Sequence, residues 1–135
     1  MSGTVFRASV LVVEDNPAYQ ELYEEVLEAQ YDVTVTNSKE DARHLLRTKR
    51  FDVAIIDMRL RDDEPENVDG LDIAELIRDL NQSTAMILKS GFPTDEKTEV
   101  ASRMEKLNFV AVLDKSAKGQ VQKLTEAVAR SIERS

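Results

Sequence analysis

Phe51-Asp52-Val53-Ala54-Ile55-Ile56-Asp57 is the stretch whose reading decides the fold. Val53 to Ile56 are four consecutive apolar residues, three of them β-branched. Such a run reads as a strand buried on both faces, as the strands of parallel sheets are. It ends at Asp57, a lone carboxylate delivered to the carboxyl end of the strand, the edge where ligands gather in open α/β sheets. Nucleophile, metal ligand or helix cap are all open to Asp57 from this stretch alone.

Outward on the amino-terminal side, Ser9-Val10-Leu11-Val12-Val13 is a second buried strand that stops at Glu14-Asp15. Asn16 is a good N-cap and Pro17 a good first helical residue. Tyr19, Leu22, Tyr23, Val26 and Leu27 then recur at helical spacing, predicting an amphipathic helix to about Gln30. Asp32 to Thr36 alternates polar and apolar, a strand at or near a sheet edge. Ser38-Lys39-Glu40-Asp41 resembles a capping box with Asp in place of Glu or Gln, opening a helix to about Lys49. His44, the only histidine, lies on that helix with no partner motif beside it and reads as solvated.

On the carboxyl-terminal side, residues 58–68 are polar, acidic and proline-containing, and predict a loop. A helix follows from Asp69 or Gly70, with Leu71, Ile73, Ala74, Leu76, Ile77 and Leu80 inward, ending near Asn81. Ala85 to Leu88 reads as a buried strand closing at Lys89-Ser90-Gly91. A weaker helix carries Val100, Ala101, Met104 and Leu107. Phe109 to Leu113 is a strand ending at Asp114-Lys115, and a last helix spans about Gly119 to Arg134 with Val121, Leu124, Val128 and Ile132 apolar.

Strand then helix, five times over, implies a doubly wound parallel sheet with right-handed crossovers. The burial ranking of the strands fits the flavodoxin-like order 2-1-3-4-5, with five helices. At 135 residues, 41% hydrophobic and 33% charged, the chain suits one globular domain, residues 1–135. Without cysteine it has no disulfide, thiolate nucleophile or thiolate metal site. A net charge of −8 disfavours direct contact with nucleic acid. No apolar run reaches membrane-spanning length and Met1–Ala8 lacks the features of a signal peptide, so a cytoplasmic location away from membranes is expected.

In that strand order Glu14-Asp15, Asp57, Ser90 and Lys115 fall at neighbouring strand ends. Three crowded carboxylates repel one another unless a cation neutralises them, and hard oxygen donors suit Mg²⁺ or Mn²⁺. With an ammonium and a hydroxyl added, the set makes a cradle for a transferring phosphoryl group.

The pattern resembles a response-regulator receiver domain of two-component signalling, over nearly the whole chain. Val10 to Asn16 is similar to the family's first strand and acid pair, Val53 to Met58 to its phosphoacceptor strand, and Asp69-Gly70-Leu71 to the Asp-Gly that opens its third helix. Ile87 to Gly91 and Leu113-Asp114-Lys115 are similar to its last two strand ends. The resemblance implies that Asp57 takes a phosphoryl group from a histidine kinase or phosphotransfer protein, so that the chain is a regulatory domain rather than an enzyme. It implies Mg²⁺ held by Asp15, by Glu14 mostly through water, by Asp57 and by the Arg59 carbonyl. Ser90, Lys115 and the amides of Met58 and Gly91 would meet phosphoryl oxygens. A downstream protein partner or effector domain would read the switch, and a homodimer is one possible form.

Three features depart from that pattern. The acidic loop carrying Asp62, Asp63, Glu64 and Glu66 is longer than usual, which adds only a small closure cost if it is a surface insertion. Val112 stands where many receivers place an aromatic that swings inward. Ser116 replaces the usual proline after the lysine; cis before serine costs roughly 3–4 kcal/mol, so a trans Lys115–Ser116 bond is expected. A pseudo-receiver, the same fold used as an interaction or dimerisation module without phosphorylation, is the alternative function. A haloacid-dehalogenase-type phosphatase would want an Asp where Arg59 stands. An FMN carrier would want a neutral phosphate loop where Glu14-Asp15 stands.

Overall fold

The computed structural model describes residues 7–58, 68–80, 83–90, 99–114 and 119–133. Strand β1 (Ser9–Val13) leads to α1 (Pro17–Leu27), β2 (Asp32–Thr36) to α2 (Lys39–Thr48), and β3 (Val53–Asp57) to α3 (Asp69–Asp79). Strand β4 (Ala85–Ser90) and α4 (Glu99–Glu105) follow, then β5 (Phe109–Asp114) and α5 (Gln120–Glu133). The five strands form one parallel sheet in the order β2-β1-β3-β4-β5. This is the flavodoxin-like fold.

Local chemistry accounts for the element boundaries. Asn16 caps α1 by accepting a hydrogen bond from the Ala18 amide at 2.9 Å, and Pro17 occupies the first turn, where a missing N–H is harmless. The helix ends at Leu27, earlier than the sequence suggests, in a turn through Glu28 and Gln30. Ser38 accepts from the Asp41 amide at 3.2 Å, so half of the capping box forms. The Asp41 carboxylate is one methylene shorter than the usual glutamate, and it accepts from the Thr36 hydroxyl instead.

Period-two alternation along the strands divides the core between the two faces of the sheet. Leu11 and Val13, Ala54 and Ile56, and Met86 and Leu88 pack with Ala42 and Leu46 of α2 and Leu71, Ile73, Ala74 and Ile77 of α3. Val10 and Val12, Val53 and Ile55, and Ile87 pack on the other face with Tyr23 and Leu27 of α1 and Leu124, Ala127 and Val128 of α5. Each residue of β3 is fully buried, as its apolar run requires. Strand β2 is an edge and only partly buried, again as its alternation requires. Leu80 departs from expectation: it follows the last turn of α3 and is exposed rather than inward.

The amino-terminal edge of the sheet is pinned by polar groups. The Asp52 carboxylate accepts from the Ser9 amide at 2.8 Å, the Asp52 amide donates to the Ser9 carbonyl at 2.9 Å, and the Thr84 hydroxyl donates to the Phe51 carbonyl at 2.7 Å. These bonds fix the registers of β1, β3 and β4, and therefore the level at which each strand ends on the opposite edge.

Candidate functional site at the carboxyl edge

Continuing the alternation past the ends of three adjacent strands assigns the site its side chains. On β1, Val10 and Val12 face α1 and α5, and the next position in that series is Glu14; the ladder extends this far because the Glu14 amide donates to the Thr36 carbonyl at 3.0 Å. On β3 the series is Val53, Ile55, Asp57. On β4 it is Ile87, Lys89. Two acids and a lysine thus end three neighbouring strands on one face.

Glu14, Asp15 and Asp57 come together: one carboxylate oxygen from each lies within 4.8 Å of the others. Glu14 and Asp57 are buried, at 1% and 2% exposure, and Asp15 is partly so. An all-carboxylate oxygen donor set of this kind fits Mg²⁺ or Mn²⁺, which take hard oxygen ligands and retain water. Glu14 also organises the turn into α1. Its Oε2 accepts from the Asn16 amide at 3.1 Å, and its carbonyl accepts from the Gln20 side chain.

Asp57 is positioned through its backbone by α3. The Gly70 amide donates to the Met58 carbonyl at 2.9 Å, which serves the first turn of α3 where no side-chain cap is present. A Cβ on Gly70 would stand 2.2 Å from the Asp57 carbonyl oxygen and 2.7 Å from Met58 Cα. Only glycine lets the start of α3 lie against the end of β3. From the other side, the Met58 amide donates to the Lys89 carbonyl at 2.9 Å.

Lys89 is not among the site residues that the sequence points to; there the strand closes at Lys89-Ser90-Gly91 and the lysine has no role. It is the Cα partner of Asp57 across the β3–β4 ladder, and its side chain is 1% exposed. The Nζ lies 3.6 Å from Glu14 Oε1, 3.6 Å from the ring centre of Tyr23 and 4.8 Å from that of Tyr19. The two rings stack with centroids 5.8 Å apart. The available signal was the strand's place in the order: β4 lies inside the sheet, so position 89 is buried on whichever face it takes.

Ser90 is described as the last residue of β4, in register with Asp114 at the end of β5. Arg59, Gly91, Lys115 and Ser116, with the acidic loop positions 61–66, lie outside the described residues. Among the described residues no peptide bond is cis. Val112 is 51% exposed on β5. His44 is exposed, as expected.

Away from the carboxylates, α3 carries an ionic network. Lys39 of α2 meets Asp69 at 3.1 Å and Asp72 at 3.2 Å, while Arg103 of α4 meets Asp72 and Glu75 at 2.8 Å each. Burial pushes the Asp72 carboxyl up, but hydrogen bonds from Arg103 and Lys39 outweigh it and hold the group below its ordinary range. The hydrogen bond to Asp69 leads in raising Lys39, against desolvation.

The family model described as the response regulator receiver domain matches residues 10–129. No curated protein matches the chain in sequence. Similar solved structures include the signal receiver domain of a Luxo repressor protein from Vibrio parahaemolyticus, with 22% identity and a TM-score of 0.78 over 96% of this chain and 92% of that one. The receiver domain of a Francisella response regulator has 23% identity and a TM-score of 0.76, covering 94% and 98% of the two chains. A response regulator from Thermotoga maritima has 19% identity and a TM-score of 0.73, covering 95% and 99%.

Proposed function

Since this chain belongs to the response regulator receiver family, we propose that it is a phosphoacceptor whose Asp57 takes a phosphoryl group from a histidine kinase or phosphotransfer protein in a Mg²⁺-dependent reaction. The observation that carries this reading is the gathering of Glu14, Asp15 and Asp57 oxygens within 4.8 Å at the carboxyl edge of the sheet.

Asp15 and Asp57 would hold the ion directly with the Arg59 carbonyl, and Glu14 through water. When bound, the ion supplies positive charge that lets an anionic phosphoryl group approach the carboxylates. The remaining chemistry belongs to the chain. A carboxylate oxygen of Asp57 attacks phosphorus in line, forming an acyl phosphate. The bond to the donor's imidazole nitrogen breaks, and that nitrogen keeps the electron pair and takes up a proton. Lys115, the Ser90 hydroxyl and the Gly91 amide absorb charge on the transferring oxygens; the Met58 amide, expected from the sequence to join them, is instead committed to the Lys89 carbonyl at 2.9 Å. The Gly70 contact supports this role, because it fixes the backbone that carries the nucleophile. The output is a change of surface read by a downstream partner or effector domain, in a protein working in the cytoplasm.

The test is to incubate the protein with acetyl phosphate, with and without Mg²⁺, and weigh it. Wild type gains a phosphoryl group only with the metal, Asp57→Asn gains none, and Asp15→Asn reacts more slowly with weakened metal binding. Lys115→Ala keeps most of its metal affinity but is impaired in phosphorylation or in the response to it. A wild-type protein that gains no phosphoryl group at saturating metal and donor would establish the pseudo-receiver instead.

A further inference from the structure

A lysine inside an acid cluster is a charge that the phosphotransfer scheme does not use. Lys89 is distinct from Lys115: it lies on β4 with its side chain fully buried against α1, and its Nζ is within ion-pair distance of Glu14. At 3.6 Å the contact to Glu14 Oε1 is an ion pair rather than a short hydrogen bond. The faces of Tyr23 and Tyr19 hold the ammonium from the helix side, and desolvated cation–π contacts of this kind are among the stronger ones. Tyr23 is itself anchored, its hydroxyl donating to Gln120 of α5 at 3.4 Å. The ammonium therefore sits in a built compartment with little freedom to leave it.

From this juxtaposition we infer that Lys89 is a resident counter-ion of the acid cluster, which keeps Glu14 stably buried when no metal is bound and lowers the affinity of the site for Mg²⁺. This rests on the metal-binding reading above. With Lys89 in place, the three carboxylates and the ammonium carry a net charge of −2 rather than −3. A Coulomb repulsion of about 1 kcal/mol between a unit charge and a nearby divalent ion, reached even at the dielectric of water, changes the ion's binding roughly five- to tenfold. The free Mg²⁺ concentration at which the site is half occupied, and at which phosphorylation sets in, rises by the same factor. In the protein without metal the same ammonium offsets charge on the buried Glu14 carboxylate, and losing one member of such a buried pair is strongly destabilising.

The experiment uses four proteins: wild type, Lys89→Met, Glu14→Gln, and the double variant. Methionine reproduces the four-atom stem of the side chain, without the ammonium, and packs well against aromatic rings. MgCl₂ is titrated at constant ionic strength, with binding read by calorimetry and by the rise in the thermal unfolding midpoint. Two comparisons remove only the ammonium, Lys89→Met against wild type and the double variant against Glu14→Gln. In both, Mg²⁺ is expected to bind five- to tenfold more tightly. Without metal, each single variant melts below wild type and the double variant recovers part of the loss, because the two groups compensate each other. If Lys89→Met does not fold, the second comparison decides alone. Equal or weaker binding on removal of the ammonium, in a protein that does bind Mg²⁺, overturns the role of Lys89 and leaves the metal site standing. Absence of Mg²⁺ binding in all four overturns the metal site, and this inference with it.

Discussion

At Gly70 a missing side chain does what no other residue type can. The start of α3 lies so close to the end of β3 that a methyl group would overlap the Asp57 carbonyl. The rigid neighbour is backbone, so the strain of Gly70→Ala must move α3 or the Asp57 strand end. Such overpacking costs typically about 1–3 kcal/mol. Gly70→Ala is expected to lose that much in urea unfolding and to slow phosphorylation by acetyl phosphate more than its stability loss explains. An alanine variant with wild-type stability and rate would mean that the two elements separate easily. Position 89 shows the converse, a long charged side chain accepted in the core because a carboxylate and two aromatic faces surround its end.

Between elements, α3 is a hub of charge. Asp72 is shared by Lys39 from α2 and Arg103 from α4, and Arg103 also grips Glu75 through two nitrogens. These side chains are partly exposed, so the pairs contribute modestly, about 0.5–1 kcal/mol each. The Asp72 pKa is lowered in the folded state, so its contribution is complete above the ordinary value of 3.8 and is lost as pH falls through the lower folded value. Lys39 is raised, so its contribution is complete below 10.5 and is lost as pH climbs past that point. Asp72→Asn is therefore expected to be about 1 kcal/mol less stable than wild type near neutral pH, with the gap closing in acid below 3.8. Urea unfolding over a pH series checks this. Arg103→Ala should release α4 in particular: amide exchange is expected to quicken across Glu99–Glu105 and stay unchanged in α1 and α5.

For the whole molecule, the sheet separates two apolar cores that share its strands. Leu71→Ala on one face and Leu124→Ala on the other each leave a cavity at a fully buried site, and each is expected to lower the unfolding free energy by about 2–4 kcal/mol. The two lesions lie on opposite sides of the sheet with no shared partners, so their effects should add within about 0.5 kcal/mol in the double variant. Marked non-additivity, or a second transition in the unfolding curve, would show that the faces are not one cooperative unit. Among the described residues no helix is long and apolar enough to cross a membrane.

Strand by strand, the alternation of strands and helices implied the parallel sheet, and the apolar pattern separated central strands from an edge, because a strand covered on both faces has to be apolar throughout and an edge strand does not. The order β2-β1-β3-β4-β5 fits that ranking. Val53 to Ile56 and Asp32 to Thr36 carry that contrast in their composition alone. That order places Glu14, Asp15 and Asp57 at adjoining strand ends, since order and register leave little choice once the ends are known. Leu80 was misjudged because helical spacing does not say where a helix stops, and one residue beyond the last turn faces solvent. Asp41 takes its carboxylate's partner from the end of the preceding strand, the Thr36 hydroxyl, which the spacing of the capping box does not show. Lys89 needed the tertiary structure most. A lysine after an apolar run reads as the strand leaving the core, and only the arrival of Glu14 from β1 and of Tyr19 and Tyr23 from α1 provides surroundings in which a buried ammonium is stable. Those partners are some seventy residues away in the chain, and no local pattern encodes their approach.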